Sequence, residues 1–203
     1  MAMIPKSGRF MIKVCGITNL QDGKLAVDCG SDMIGVVRAG ESPRFAPRSV
    51  IREVKDLGVP VVGVYTRFSD IPEDPDEDMV QLHFNHTAGQ IESLKERGVG
   101  TVSVIQFRSM PDFIGRYEEY REAGTSLIML ESKTGIMKQS DSLLHMSMMY
   151  DFGISGKITA GDLPEICRIK PKFIDLSSSL EQSPGRKDPV RMKELFSRVE
   201  ECD

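Results

Sequence analysis

The stretch Phe10-Met11-Ile12-Lys13-Val14-Cys15-Gly16-Ile17-Thr18-Asn19-Leu20 carries the reading of the whole chain. Residues 10–14 read as a β-strand that opens on the short apolar run Phe10-Met11-Ile12. The strand ends on Cys15 and on Gly16, a residue that lets the backbone turn sharply. Helical spacing begins at Leu20, continues to Cys29 and is closed by Gly30. A strand, a tight turn and a helix in about twenty residues make one β–α unit. What decides the fold is how often that unit recurs.

It recurs along the chain. Residues 33–37, 59–65, 79–82, 101–106, 126–130, 157–159 and 173–176 read as seven further strands. Residues 47–57, 88–97, 110–123, 140–150, 163–169 and 189–200 read as helices between and after them. The segment 47–57 has proline at its start and Gly58 after its end, the expected helical asymmetry. Residues 69–78 are rich in Pro, Asp and Glu and predict a loop or a single helical turn. Strands that read as unbroken apolar runs are covered on both faces, as in parallel sheets. Eight such strands predict a single-domain α/β protein spanning 1–203. Its expected form is a small (β/α)8 TIM barrel with a reduced third helix, with a doubly wound open sheet as the alternative.

Composition narrows the classes. Apolar residues make up 40% and charged residues 28%, as in an ordinary soluble domain. The net charge of -4, with no basic cluster, argues against a nucleic-acid partner. No apolar run approaches the roughly 20 residues that span a bilayer, and the first ten residues lack an apolar signal core. A cytoplasmic protein with no membrane partner is expected. The four cysteines, Cys15, Cys29, Cys167 and Cys202, form no C-x-x-C pair and have no histidine at ligand spacing. They read as reduced thiols, with no metal site.

In a barrel of this kind the chemistry lies at the C-terminal ends of the strands. Cys15 follows the first strand, Arg38 and Arg44 the second, and Gln81 with His83 the fourth. Gln106 follows the fifth, Glu131 the sixth, Thr159-Ala160-Gly161-Asp162 the seventh and Asp175-Leu176-Ser177-Ser178-Ser179 the eighth. Singly, each has a plain reading. Cys15 would be a small buried apolar residue, Arg44 a surface ion-pair partner, Glu131 a solvated carboxylate, and the Ser/Gly runs turns. Together, at one end of a barrel, they supply a base, an acid, a cation and two turns suited to binding phosphate through backbone N–H groups.

Four segments resemble the phosphoribosylanthranilate isomerase family. They are Lys13-Val14-Cys15-Gly16-Ile17-Thr18-Asn19-Leu20, Ser42-Pro43-Arg44, Gln81-Leu82-His83, and Asp175-Leu176-Ser177-Ser178 with Glu181 and Pro184-Gly185-Arg186-Lys187-Asp188. The resemblance implies a cofactor-independent aldose–ketose isomerase of tryptophan biosynthesis that carries out an Amadori rearrangement. It implies Cys15 as base, Glu131 as acid in place of the family's aspartate, and Arg44 as partner of the anthranilate carboxylate. It further implies His83 and Gln81 as pocket residues, and Ala160, Gly161, Ser178 and Ser179 around the phosphate. The partner would be a small phosphosugar, and the protein a monomer or homodimer. The alternatives are a diverged barrel that binds a phosphorylated or carboxylated ligand without catalysis, and a different sugar-phosphate isomerase. Retention of Cys15 favours a catalyst, because a pure binder has no use for a thiolate.

Overall fold

The alternation read from the sequence closes on itself. In a computed structural model, which describes residues 10–201, eight parallel strands form a closed barrel in chain order. They are β1 (Met11–Cys15), β2 (Met33–Val37), β3 (Val61–Tyr65), β4 (Met79–Leu82), β5 (Gly100–Gln106), β6 (Leu127–Glu131), β7 (Gly153–Ser155) and β8 (Phe173–Leu176). The helices are α1 (Leu20–Cys29), α2 (Arg48–Lys55), α3 (Ala88–Glu96), α4 (Met110–Glu122), α5 (Ser140–Ser147), α6 (Leu163–Ile169) and α7 (Pro189–Glu200). Between β3 and β4 there is only a 3-10 turn, Phe68–Asp70, as the proline-rich stretch predicts. Local chemistry fixes the joints. Asn19 Oδ1 accepts from the Asp22 N–H at 2.8 Å to start α1, and Gly30 takes the left-handed conformation that ends it.

Side chains alternate along each strand, so every second residue points into the barrel. Met11, Met33, Val62, Met79, Val102, Val104, Met129 and Phe173 fill the lower interior as one apolar cluster. Their strand neighbours Ile12, Ile34, Val61, Val80, Ile128 and Ile174 belong to the larger core between barrel and helices. One step of two residues above the interior cluster brings Lys13 and Asp175 opposite each other on β1 and β8. The same step carries the inward face up to Cys15, Glu131 and, just beyond β4, His83. Period-two alternation on separate strands therefore delivers the site.

The seventh strand departs from the sequence reading. It is Gly153–Ser155, and residues 157–159 follow it as loop. Phe152 and Ile154 are buried as a strand requires, but Gly153 within the strand and Gly156 directly after it disguise it as a turn. Gly153 is needed for space. A Cβ there would lie 2.2 Å from the Phe173 ring. Replacing Gly153 with alanine is expected to destabilise the fold by about 1–3 kcal/mol through overpacking. The urea midpoint should fall at unchanged slope, and an unchanged midpoint would contradict the packing.

Two further features were not read from the sequence. Glu181–Ser183 (β9) and Arg186–Lys187 (β10) pair antiparallel as a small hairpin after the barrel. Cys15 and Cys29 are free thiols, but Cys167 is disulfide-bonded, which corrects the expectation of four reduced cysteines. Pairing depends on spatial approach, not sequence spacing, so no short motif announces it. Residues 1–9 and Cys202 lie outside the described residues.

Candidate active site

Cys15 ends β1 and is 8% exposed. Lys13, two residues back on the same face, is fully buried, and its Nζ donates to Asp175 Oδ1 at 2.9 Å. Both side chains crowd over Gly35 on β2. A Cβ at that position would stand 2.8 Å from Cys15 Sγ and 2.9 Å from Lys13 Nζ, so glycine there makes the thiol–ammonium neighbourhood possible. Burial would strip the proton from Lys13. The Asp175 carboxylate, with Cys15, more than offsets this and holds the ammonium above its ordinary value. For Cys15 the balance falls the other way. Burial pushes the thiol up, and the opposing pull of Lys13 and Lys187 does not bring it back.

On the opposite side of the mouth, Glu131 ends β6. His83 Nε2 lies 3.2 Å from Glu131 Oε2, and Gln106 Nε2 donates to the same oxygen. Burial alone would raise the Glu131 carboxyl, but His83, followed by Gln106 and Lys133, holds it below its ordinary value. Gln81 stands behind, with Nε2 3.3 Å from His83 Nδ1. Its Oε1 is buried and has no hydrogen-bond partner among the described residues. Turned end for end, that amide would present an acceptor to Nδ1. Cys15, Gln81, His83 and Glu131 thus gather at one end of the barrel. Gln106 is a participant whose role the sequence reading did not assign.

Arg44 is already engaged. Its Nε lies 2.9 and 3.0 Å from the two Glu181 oxygens, and Nη2 lies 2.7 Å from Oε2. The fork expected to grip a substrate carboxylate is therefore held by the protein's own, leaving Nη1 outside the pair. Glu181 is also bound by Lys187 Nζ at 3.0 Å, and the same ammonium donates to the Cys15 carbonyl at 2.6 Å. The Arg44 and Lys187 cations keep Glu181 below its ordinary value against its burial. The β9–β10 hairpin is in this way tied to the end of β1. That explains why 184–188 reads as a motif although it carries no obvious catalytic group.

A cavity of about 250 Å³ opens between the loops after β6, β7 and β8. Ser178 and Ser179 line it. Ala160 and Gly161 do not, a consequence of the shifted seventh strand. They sit in a 3-10 turn, Ala160–Asp162, further along. Gly156, Lys157 and Ile158 take the expected place. Asp162 is turned to local use, accepting from the Thr159 N–H at 2.7 Å and its hydroxyl at 2.8 Å. Glu131 and Asp175 line the same cavity.

A closed (β/α)8 barrel with a buried thiol, a carboxylate–imidazole pair and a cavity of about 250 Å³ at the C-terminal end of its strands defines an acid–base enzyme barrel. Residues 12–198 match the family model described as N-(5'phosphoribosyl)anthranilate (PRA) isomerase, and the chain belongs to that family. The N-(5'-phosphoribosyl)anthranilate isomerase of Thermoplasma volcanium is 38% identical over 192 residues, covering 94% of this chain and 96% of that protein. A structure of monomers generated from the dimeric phosphoribosylanthranilate isomerase of Thermotoga maritima superposes with a TM-score of 0.80 at 25% identity, covering 94% and 98% of the two chains. A third structure, a phosphoribosyl anthranilate isomerase in complex with reduced 1-(o-carboxyphenylamino)-1-deoxyribulose 5-phosphate, gives 0.79 at 24%, again over 94% and 98%, and speaks for the fold.

Proposed function

We propose that this chain isomerises N-(5'-phosphoribosyl)anthranilate to its 1-deoxyribulose 5-phosphate product. The observation that carries the reading is the pairing, at one barrel mouth, of a buried thiol wired to Lys13 and Asp175 with a carboxylate bound to His83. Glu131 delivers a proton to the furanose ring oxygen. The C1–O bond breaks as the anthranilate nitrogen lone pair forms C=N, giving a Schiff base. Cys15, as thiolate, removes the proton from C2, and the electron pair left behind neutralises the iminium as an enamine. Tautomerisation of the enamine gives the aminoketose. His83, at 3.2 Å, is the group from which Glu131 regains a proton. Arg44 offers the substrate carboxylate what Glu181 leaves free, and Gly156, Ser178 and Ser179 frame the phosphate. The enzyme works in the cytoplasm on this small phosphosugar, as a monomer or homodimer and without cofactor.

The test generates the substrate in situ and follows the loss of its fluorescence. Folded wild-type protein with no turnover above background would reject the proposal. Replacing Glu131 with glutamine keeps the hydrogen-bonding shape but removes the acid, and kcat is expected to fall by about 10²–10⁴. Glu131→Gln within threefold of wild type would remove Glu131 from the acid role.

A further inference from the structure

The cavity between the β6, β7 and β8 loops is rimmed by two lysines, Lys133 and Lys157. Both are exposed, and neither ammonium makes a hydrogen bond or ion pair among the described residues. Lys133 acts on Glu131 only as a charge at longer range. The backbone at Lys157 is unusual. Its φ is 55°, in the left-handed region that favours glycine, directly after Gly156 at φ 113°. The other left-handed lysine, Lys170 at φ 52°, has an ordinary explanation, since it caps the end of α6. Lys157 follows a strand and caps no helix. Glycine would take the same backbone without crowding a Cβ, so the fold has no need of lysine at this position.

We infer that Lys157, with Lys133 across the cavity, is a specificity-determining cation pair that selects the phosphorylated end of the substrate and fixes which way round it enters. This rests on the isomerase reading and names residues to which that reading gives no part. The cavity is polarised. Its inner wall carries two carboxyl side chains, the buried Asp175 and the half-buried Glu131, and its exposed rim carries the two ammonium groups. A phosphate dianion is repelled from the first and drawn to the second, so the sugar carbons are directed toward Glu131. Serine hydroxyls and backbone N–H groups alone would hold phosphate by hydrogen bonding. The lysines add net charge, which also makes capture of the substrate salt-dependent.

The test is Lys157→Gly, with Lys157→Arg, Lys133→Ala and wild type measured alongside. In Lys157→Gly the KM and the inhibition constant for inorganic phosphate should both rise about tenfold, the value of one hydrogen bond to a charged group, with kcat within about twofold. The thermal midpoint should rise in the same variant, because glycine relieves the left-handed backbone. Lys157→Arg should keep both constants near wild type, and Lys133→Ala should raise them severalfold. A turn-only role for Lys157 would move the midpoint and leave KM and phosphate inhibition within twofold of wild type, and that result overturns the inference. Wild-type protein with no turnover at all would sink the isomerase reading instead. Calorimetric titration with inorganic phosphate would then judge the lysines, equal affinities in wild type and Lys157→Gly counting against them.

Discussion

Replacing Cys15 with alanine is expected to lower kcat by about 10²–10⁴, the usual contribution of a positioned general base. Serine at the same position should be nearly as inactive, because a hydroxyl in that buried setting holds its proton far more tightly than a thiol. The loss should appear in kcat and kcat/KM together, since the thiol is asked to act in the transition state and not to hold the ground state. Stability should hardly change. Cys15 belongs to a small cluster with Val37, Ala39 and Val64, and losing one sulfur leaves little void. Fluorescence assays with circular dichroism as a folding control separate the two effects. A Cys15→Ala protein within tenfold of wild type would remove the thiol from the mechanism.

Replacing Lys13 with methionine should cost both fold and function. It leaves Asp175, 7% exposed, as a buried carboxylate without its counterion, and breaking such a pair typically costs about 3–5 kcal/mol. It also removes the cation that pulls the Cys15 thiol down, so the thiol rises further and less thiolate is available at neutral pH. The double variant Lys13→Met with Asp175→Leu separates these losses. Two apolar side chains in place of a buried ion pair are often neutral for stability, so the urea midpoint should recover. Turnover should not recover, because Cys15 still lacks its cation. A double variant that regains both would show that Lys13 and Asp175 serve packing alone.

Most of the barrel was legible because its strands are apolar runs set between helices with clear starts and stops. Residues 20–29, 33–37, 79–82, 163–169, 173–176 and 189–200 fall within the bounds the sequence pattern marks. The seventh strand was not, because Gly153 and Gly156, the glycines that allow its tight packing, are also the commonest sign of a turn. For that reason the sequence pattern points to Ala160 and Gly161, whereas Gly156, Lys157 and Ile158 line the cavity. The site's first members, Cys15, His83 and Glu131, could be found because strand ends define where barrel chemistry lies. Their partners could not. That Glu181 occupies the Arg44 fork, that Lys187 reaches the Cys15 carbonyl, and that Gln106 bonds Glu131 are contacts between residues 137, 172 and 25 positions apart. A local pattern carries no trace of such pairings. Lys13 was partly legible, since strand alternation places it on the face of Cys15.

Burial of Cys15 and the embrace of Glu131 by His83 and Gln106 have a joint consequence. The resting site keeps its proton on sulfur and its negative charge on the carboxylate. The proposed reaction runs from the reverse arrangement, thiolate and carboxylic acid. The two arrangements have the same net charge and differ only in where one proton sits, so their ratio does not change with pH between the two titrations. Turnover across that interval is therefore carried by a constant minority of molecules, and the rest are held in reserve as a neutral thiol. A neutral thiol is a poor target for electrophiles and oxidants. The geometry that makes the competent form scarce is the same geometry that preserves the sulfur.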